Sequence, residues 1–312
     1  MYKRQHYPQP RSNFYLKDLL SQNRIYRAIN GDEFCPPVTT RATAVLIQTF
    51  IALSERFPAF RRWAWQRWYQ HIARYHQTEW SFMNYGYLPD DRSTSLRLDP
   101  TDEPDRLCIQ LYEAVVSGVD LHDKEVLEVG SGRGGGASFV MRYHSPATMY
   151  GIDFSSKAVK LSRQRHHAAR INFKHGYAES LPFDNNRFDA VLNVESSHCY
   201  ASTDSFFAEV RRVLKPGGYF QFADFRAADE IDSLGKQLQT SGFETVEHED
   251  ITANVVAALK ADSERKLLLI RTHVGGWLSG VFSEFAGLDG TPIYDSFVSG
   301  DLVYLKYCLR TS

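Results

Sequence analysis

Two rhythms alternate along the middle of this chain. Short apolar runs at Glu125–Val129, Thr148–Asp153, Ile171–Phe173, Phe188–Val194 and Tyr219–Asp224 are bounded by glycine or polar clusters and predict strands. Between them, apolar residues recur every three to four positions. That spacing predicts helices from about Pro104 to Val119, from Ala137 to Tyr143, and from a Ser155 cap to about Ala168. A further helix carries Phe206, Phe207, Val210, Val213 and Leu214 and stops at Lys215-Pro216-Gly217. Strands alternating with helices predict an α/β fold, a mostly parallel sheet with helices on both faces and ligands at the carboxyl ends of the strands.

The last third departs from this alternation. A helix from about Asp229 to Thr240 leads to a sixth strand at Glu244–Glu247, and a seventh is predicted at Asp301–Cys308. Between those strands lie about 50 residues, Ile251 to Gly300, with helical spacing at Val255, Ala258 and Leu259 and again at Trp277, Val281, Phe282 and Phe285. So long a segment at the rim of a sheet is usually functional. It reads either as a helical cap over an apolar ligand, about 251–300, or as packing for the N-terminal helices.

Residues 1–90 form a separate helical segment, ahead of a main domain at 91–312. The first 40 positions are polar and proline-containing. Beyond a break at Phe57-Pro58, Trp65, Trp68, Tyr69 and Ile72 make one aromatic stripe, with Arg61, Arg62, Arg67 and Arg74 interleaved. This is a helix docked on the main domain, a lid, or a basic face resting on a membrane.

Composition narrows the classes. A net charge of −1 gives no global attraction to nucleic acid. Cys35, Cys108, Cys199 and Cys308 form no Cys-x-x-Cys pair, so neither a zinc site nor a disulfide framework is expected. No apolar leader is evident, and the stretch Ala42–Leu53 is too short to span a bilayer. The expectation is a cytoplasmic protein without a metal; contact with a membrane surface and pairing as a homodimer are compatible with it.

The chemistry gathers at Glu128-Val129-Gly130-Ser131-Gly132-Arg133-Gly134-Gly135-Gly136. A strand opening through glycines into a helix lets main-chain N–H groups approach a ligand. Asp153 then ends the second strand, about 20 residues on, where a carboxylate grips a ribose diol. To this point a dinucleotide domain and an S-adenosylmethionine (SAM) domain read alike.

Three features in order separate them: Glu128 two residues before Gly130, the run Gly176-Tyr177-Ala178-Glu179-Ser180-Leu181-Pro182-Phe183, and Arg211-Arg212-Val213-Leu214-Lys215-Pro216-Gly217-Gly218-Tyr219-Phe220. Together they resemble the class I SAM-dependent methyltransferases, with a Rossmann-like, seven-stranded sheet. Leu192-Asn193-Val194-Glu195-Ser196-Ser197-His198-Cys199-Tyr200 and Tyr219–Arg226 sharpen the likeness to the phthiotriol/phenolphthiotriol dimycocerosate methyltransferases and related lipid, sterol and quinone enzymes. That resemblance implies SAM as cofactor, S-adenosylhomocysteine (SAH) as product and a lipophilic acceptor methylated on a hydroxyl. C-methylation, a fatty-acid carboxyl acceptor and a non-catalytic SAM-binding role stay open.

The resemblance also implies roles. Gly130, Gly132 and Gly134 pass the methionine part of SAM and Glu128 orients its amino group. Asp153 accepts the ribose hydroxyls and Phe154 lies against the adenine. Tyr177 stands where the family has Asp, so adenine recognition falls to Ala178, Glu179 or the tyrosine itself. Asn193 lies beside the methionine moiety through its main chain, and Tyr85, in Met83-Asn84-Tyr85-Gly86-Tyr87, closes over the cofactor. For a hydroxyl acceptor, His198 is the expected base, ready to take a proton near neutral pH, with Asp224 or Glu195 orienting it. Glu195 itself would serve a carbon acceptor.

Overall fold

A computed structural model describes residues 81–91, 96–167, 169–273 and 278–312. Seven strands form one sheet in the order β3-β2-β1-β4-β5-β7-β6. They are β1 (Glu125–Val129), β2 (Thr148–Asp153), β3 (Ile171–His175), β4 (Phe188–Val194), β5 (Leu214–Ala227), β6 (Phe243–Asp250) and β7 (Leu302–Thr311). The first five pair in parallel, whereas β7 runs antiparallel between β5 and β6. The expected α/β architecture is the observed one.

Among the described residues eight α-helices follow: α1 (Arg106–Val116), α2 (Gly135–Tyr143), α3 (Ser156–Arg165), α4 (Thr203–Val213), α5 (Ile231–Thr240), α6 (Thr252–His273), α7 (Leu278–Phe285) and α8 (Pro292–Ser299). Ser155 caps α3 as expected, its hydroxyl accepting the Ala158 N–H. The stop of α4 differs by a few residues. The helix ends at Val213, and Leu214 to Gly218 already belong to β5, with a register shift between Phe188 and Ala190 on the neighbouring strand. Pro216 has no N–H to give either element, so the chain crosses from helix to strand here.

Strand alternation sorts the core onto two faces. Val126, Leu192 and Tyr304 pack with α1, α2 and the insertion residues Val255, Leu259 and Phe297. Leu127, Val191, Phe220, Phe222, Leu305 and Leu309 pack with Phe206, Phe207 and Val210 of α4 and Leu234 and Leu238 of α5. The segment between β6 and β7 is mostly helical in its described part, forming α6, α7 and α8 with a turn at 286–291 between the last two. Ile270, Phe282 and Leu288 make a small core of their own there. The aromatic stripe at 63–72 and Trp277 lie outside the described residues, and no described helix is long and apolar enough to cross a membrane.

Candidate active site

One cleft opens at the carboxyl ends of β1, β2, β4 and β5, where this topology leaves room for a ligand. At one end the wall is main chain. The turn after β1 starts at Gly130, φ +78°, where a Cβ would run into the Ser196 hydroxyl and reach within 2.8 Å of the Tyr200 hydroxyl oxygen. Asp153, 8% exposed at the end of β2, accepts the Gly132 N–H at 2.9 Å and the Ser155 N–H at 2.8 Å. One carboxylate therefore ties the glycine turn to the start of α3. Burial lifts its pKa, and the two N–H donors work against that lift.

Glu128 lies beneath the turn, 1% exposed. Its Oε1 accepts the Tyr112 hydroxyl at 2.6 Å, while Oε2 is buried with no hydrogen-bond partner. Burial raises its pKa to about 7. Tyr112 fits only because Gly136 lacks a side chain: a Cβ there would sit inside the tyrosine ring. Phe154, Ala178 and Glu179 line the same end. Their loop is pinned from below: Glu209 accepts the Leu181 N–H at 2.6 Å, and Arg212 donates to the Leu181 and Phe183 carbonyls at 2.9 and 2.7 Å. Glu179 is partly engaged, since its Oε1 accepts the Ala201 N–H at 2.8 Å. Tyr177 borders the cleft and is 48% exposed.

The Asn193 side chain takes no part in the wall. It is fully buried below the wall rather than in it, its amide reaching the Val129 carbonyl at 2.9 Å, the Ser196 hydroxyl at 2.8 Å and the Tyr200 hydroxyl at 2.9 Å. Strand alternation turns it away, and Val194, Glu195 and Ser196 form the wall instead.

The other end is built of side chains from distant segments. His198 follows β4 in a 3-10 turn, and its Nδ1 donates to Asp224 Oδ1 at 2.8 Å. Asp224 has no exposed surface and also accepts the Ser197 hydroxyl at 2.6 Å and the His198 N–H at 3.0 Å, with Arg226 at 3.2 Å. Burial opposes its charge, yet His198 and Arg226 hold its pKa well below the usual carboxylate range. For His198 burial again opposes charge, but Cys199 and the Asp224 carboxylate outweigh it and hold the ring well above its ordinary value. With Nδ1–H committed to Asp224, Nε2 is the atom that gains or loses a proton.

Glu195 completes this end. Its backbone is left-handed, φ +51°, a conformation that glycine and asparagine adopt more easily. Its Oε2 accepts the Tyr85 N–H at 2.9 Å and the Tyr304 hydroxyl at 3.0 Å. Burial pushes its carboxyl up to about 8. Around it stands an aromatic wall: Tyr85, Phe225 and Phe297 lie with ring centroids 5.6 to 5.7 Å apart, and the His198 ring lies 4.4 Å from Phe225. Phe285 brings the insertion to the cleft. Lys266, 8% exposed on α6, reaches the Tyr85 carbonyl at 3.4 Å and the Ala286 carbonyl at 3.5 Å, so one ammonium ties both segments down.

The sequence reading missed Tyr112, Phe225 and Tyr304. Tyr112 and Tyr304 sit in ordinary apolar patterns, and only the glycine at 136 hints at the first.

A methyltransferase domain model matches residues 127–222. The chain belongs to the class I SAM-dependent methyltransferases. It is 39% identical over 245 residues to the phthiotriol/phenolphthiotriol dimycocerosates methyltransferase of Mycobacterium tuberculosis, a match covering 78% of this chain and 90% of that one. It is also 42% identical over 179 residues to the fatty-acid O-methyltransferase of Mycolicibacterium smegmatis, covering 57% of this chain and 65% of that one. In fold it is similar to the geranyl diphosphate C-methyltransferase of Streptomyces coelicolor, with a TM-score of 0.54, 17% identity and coverage of 78% and 98%. SAM is therefore the cofactor. The cleft suits it: Gly132 has no heavy atom within 4 Å of where its Cβ would be, and Glu128 Oε2 is a buried acceptor with nothing to accept.

Proposed function

We propose that the protein transfers the methyl group of SAM to a hydroxyl oxygen of a lipophilic acceptor. The His198–Asp224 pair facing an aromatic cleft carries this reading. In it, Asp153 takes the ribose hydroxyls, Glu128 Oε2 the amino group and Phe154 the adenine, with Ala178 and Glu179 at the adenine edge and Tyr85 over the sulfur end.

When bound, SAM supplies an electrophilic methyl on a sulfonium that leaves as a neutral thioether. The protein's own work is alignment, dryness and a place for the proton. A neutral alcohol is a poor nucleophile near neutral pH, because its pKa is close to the 15.7 of water. As its oxygen bonds to the methyl carbon, the O–H bond breaks, the C–S electron pair stays on sulfur and the proton passes to Nε2 of His198. Asp224 keeps Nδ1 protonated and stabilises the imidazolium, as a buried carboxylate does for a general base. Phe225, Phe285 and Tyr85 exclude water and favour an apolar acceptor.

The fatty-acid relative supports a second reading, a carboxylate acceptor, which would need no base. Glu195 in the wall argues against it, since two carboxylates in one buried site repel. The test is a panel of hydroxylated long-chain lipids, free fatty acids, sterols and quinols with radiolabelled SAM. Label in an alkali-stable ether of the hydroxylated lipids is expected; label only in alkali-labile methyl esters would overturn the proposal.

A further inference from the structure

Glu195 is held in a way the base chemistry does not require. Its left-handed backbone is unusual for a residue with a side chain, and strain of this kind persists where the surroundings enforce it. The backbone is fixed by its N–H bond to the Ala223 carbonyl at 2.8 Å. The side chain then reaches two donors from two other segments, both on Oε2. Its Oε1 makes no hydrogen bond among the described residues and is not among the buried unpartnered atoms, so it faces the cleft. The groups around it are Tyr85 from the 81–91 segment, Tyr112 on α1, His198 after β4, Asp224 on β5 and Tyr304 on β7. The cations near these groups are already engaged: His198 and Arg226 with Asp224, and Lys266 with the Tyr85 and Ala286 carbonyls. An ionised Glu195 thus lacks a countercharge of its own until one enters the cleft.

We propose that Glu195 is the countercharge of the cofactor's sulfonium: its carboxyl is neutral in the cofactor-free protein and ionises when that cation binds. The inference rests on the cofactor placement proposed above. Its physical basis is that burial disfavours a lone carboxylate, whereas a cation within a few ångströms favours it. The raised pKa, about 8 without cofactor, agrees. The arrangement gives the protein a way to tell cofactor from product. A thioether carries no charge, so Glu195 regains a proton once the methyl has gone, and the site stays near neutral throughout.

Calorimetry at pH 7 in phosphate and in Tris, whose ionisation enthalpies differ, counts protons released per ligand bound. SAM is expected to release about one-half to one proton more than SAH, in line with a carboxyl titrating near 8 that ionises on binding. Glu128, beneath the turn, also has a raised pKa, but it would meet the amino group common to both ligands; His198 lines the cleft and also titrates, so the Glu195 variants assign the difference. Sinefungin, which carries an amine in place of the sulfonium, should behave like SAM. In Glu195→Gln the extra release should vanish and the preference for SAM over SAH should fall about tenfold or more. Glu195→Gly removes the carboxyl while relieving the left-handed backbone, and should also lose the extra release. Equal release for SAM and SAH in the wild type, or an undiminished difference in both variants, would overturn the inference. Either outcome is independent of the acceptor panel, because no acceptor is present.

Discussion

The two ends of the cleft are made of different material. In the proposed reading, the cofactor end is a turn of main-chain N–H groups, set by glycines and tied by one carboxylate at the end of β2. The end proposed for the acceptor is a set of side chains, with His198 and Glu195 after β4, Asp224 and Phe225 on β5, Tyr304 on β7, and Tyr85 and Phe285 from outside the sheet. A main-chain site can be altered at only a few positions without breaking the turn. A side-chain site can be rebuilt one residue at a time. One fold therefore keeps one cofactor while its acceptor is free to vary.

The largest expected effect falls on the acceptor end alone. His198→Ala should lower kcat by about 10²–10⁴-fold, the usual contribution of a general base, with SAM affinity within a few-fold of wild type. More than a tenth of wild-type turnover in single-turnover assays would remove His198 from that role. Asp153→Ala acts on the opposite end. Charge-assisted hydrogen bonds contribute about 1.5–3 kcal/mol each, so SAM affinity should fall tenfold or more in calorimetry. A dissociation constant within twofold of wild type would show that the two ends are not so divided.

The insertion tests the boundary between site and scaffold. Phe285 lines the cleft and packs partly buried against the small core of Ile270 and Leu288, whereas Phe282 is 1% exposed within that core. Phe285→Ala should raise the acceptor KM several-fold with SAM affinity nearly unchanged, and lower the melting temperature less than loss of the Phe282 ring does. Phe282→Ser should instead lower the melting temperature by several degrees, since removing a buried phenyl ring costs about 3–5 kcal/mol. If both variants behave alike, the insertion acts as one packed body.

The smallest effect is a displacement along the pH axis. A base works in its neutral form, and the Asp224 partner holds His198 above its ordinary value. Turnover should therefore still be rising with pH above about 6.5, the unperturbed imidazole value. Asp224→Asn removes the carboxylate and should move that acidic limb back down. The linked stability has the opposite sense: the pair stabilises the fold fully below about 6.5, and its contribution fades as pH rises through the raised value. A limb that stays in place in Asp224→Asn would show that some other group sets it.

Much of the cofactor end was legible in the sequence because its rules are local. Gly130, Gly132 and Asp153 declare themselves through turn chemistry and strand ends, and the element order fixes the sheet. The Asn193 side chain points below the wall rather than into it, because one position along a strand decides which way a side chain points. The acceptor end was half legible. His198, Glu195 and Asp224 follow strand ends, but their partners do not. Nothing near Tyr304 in sequence marks it, since it meets Glu195 across 109 positions. Nor is the upward shift of His198 readable from spacing, because it comes from a pairing between strands.

The antiparallel placement of β7 also bears on how the molecule comes together. β1 joins β2 through pairs as near as Val129 and Ile152, whereas β5 meets β7 through pairs such as Tyr219 and Arg310. Contacts so far apart along the chain close slowly, after the nearer ones have formed. Until β7 slots between β5 and β6, Glu195 has no Tyr304 to receive it. A refolding chain therefore regains a finished acceptor end no sooner than that last pairing. Renaturation followed by SAM fluorescence quenching and by turnover should show the first signal ahead of the second.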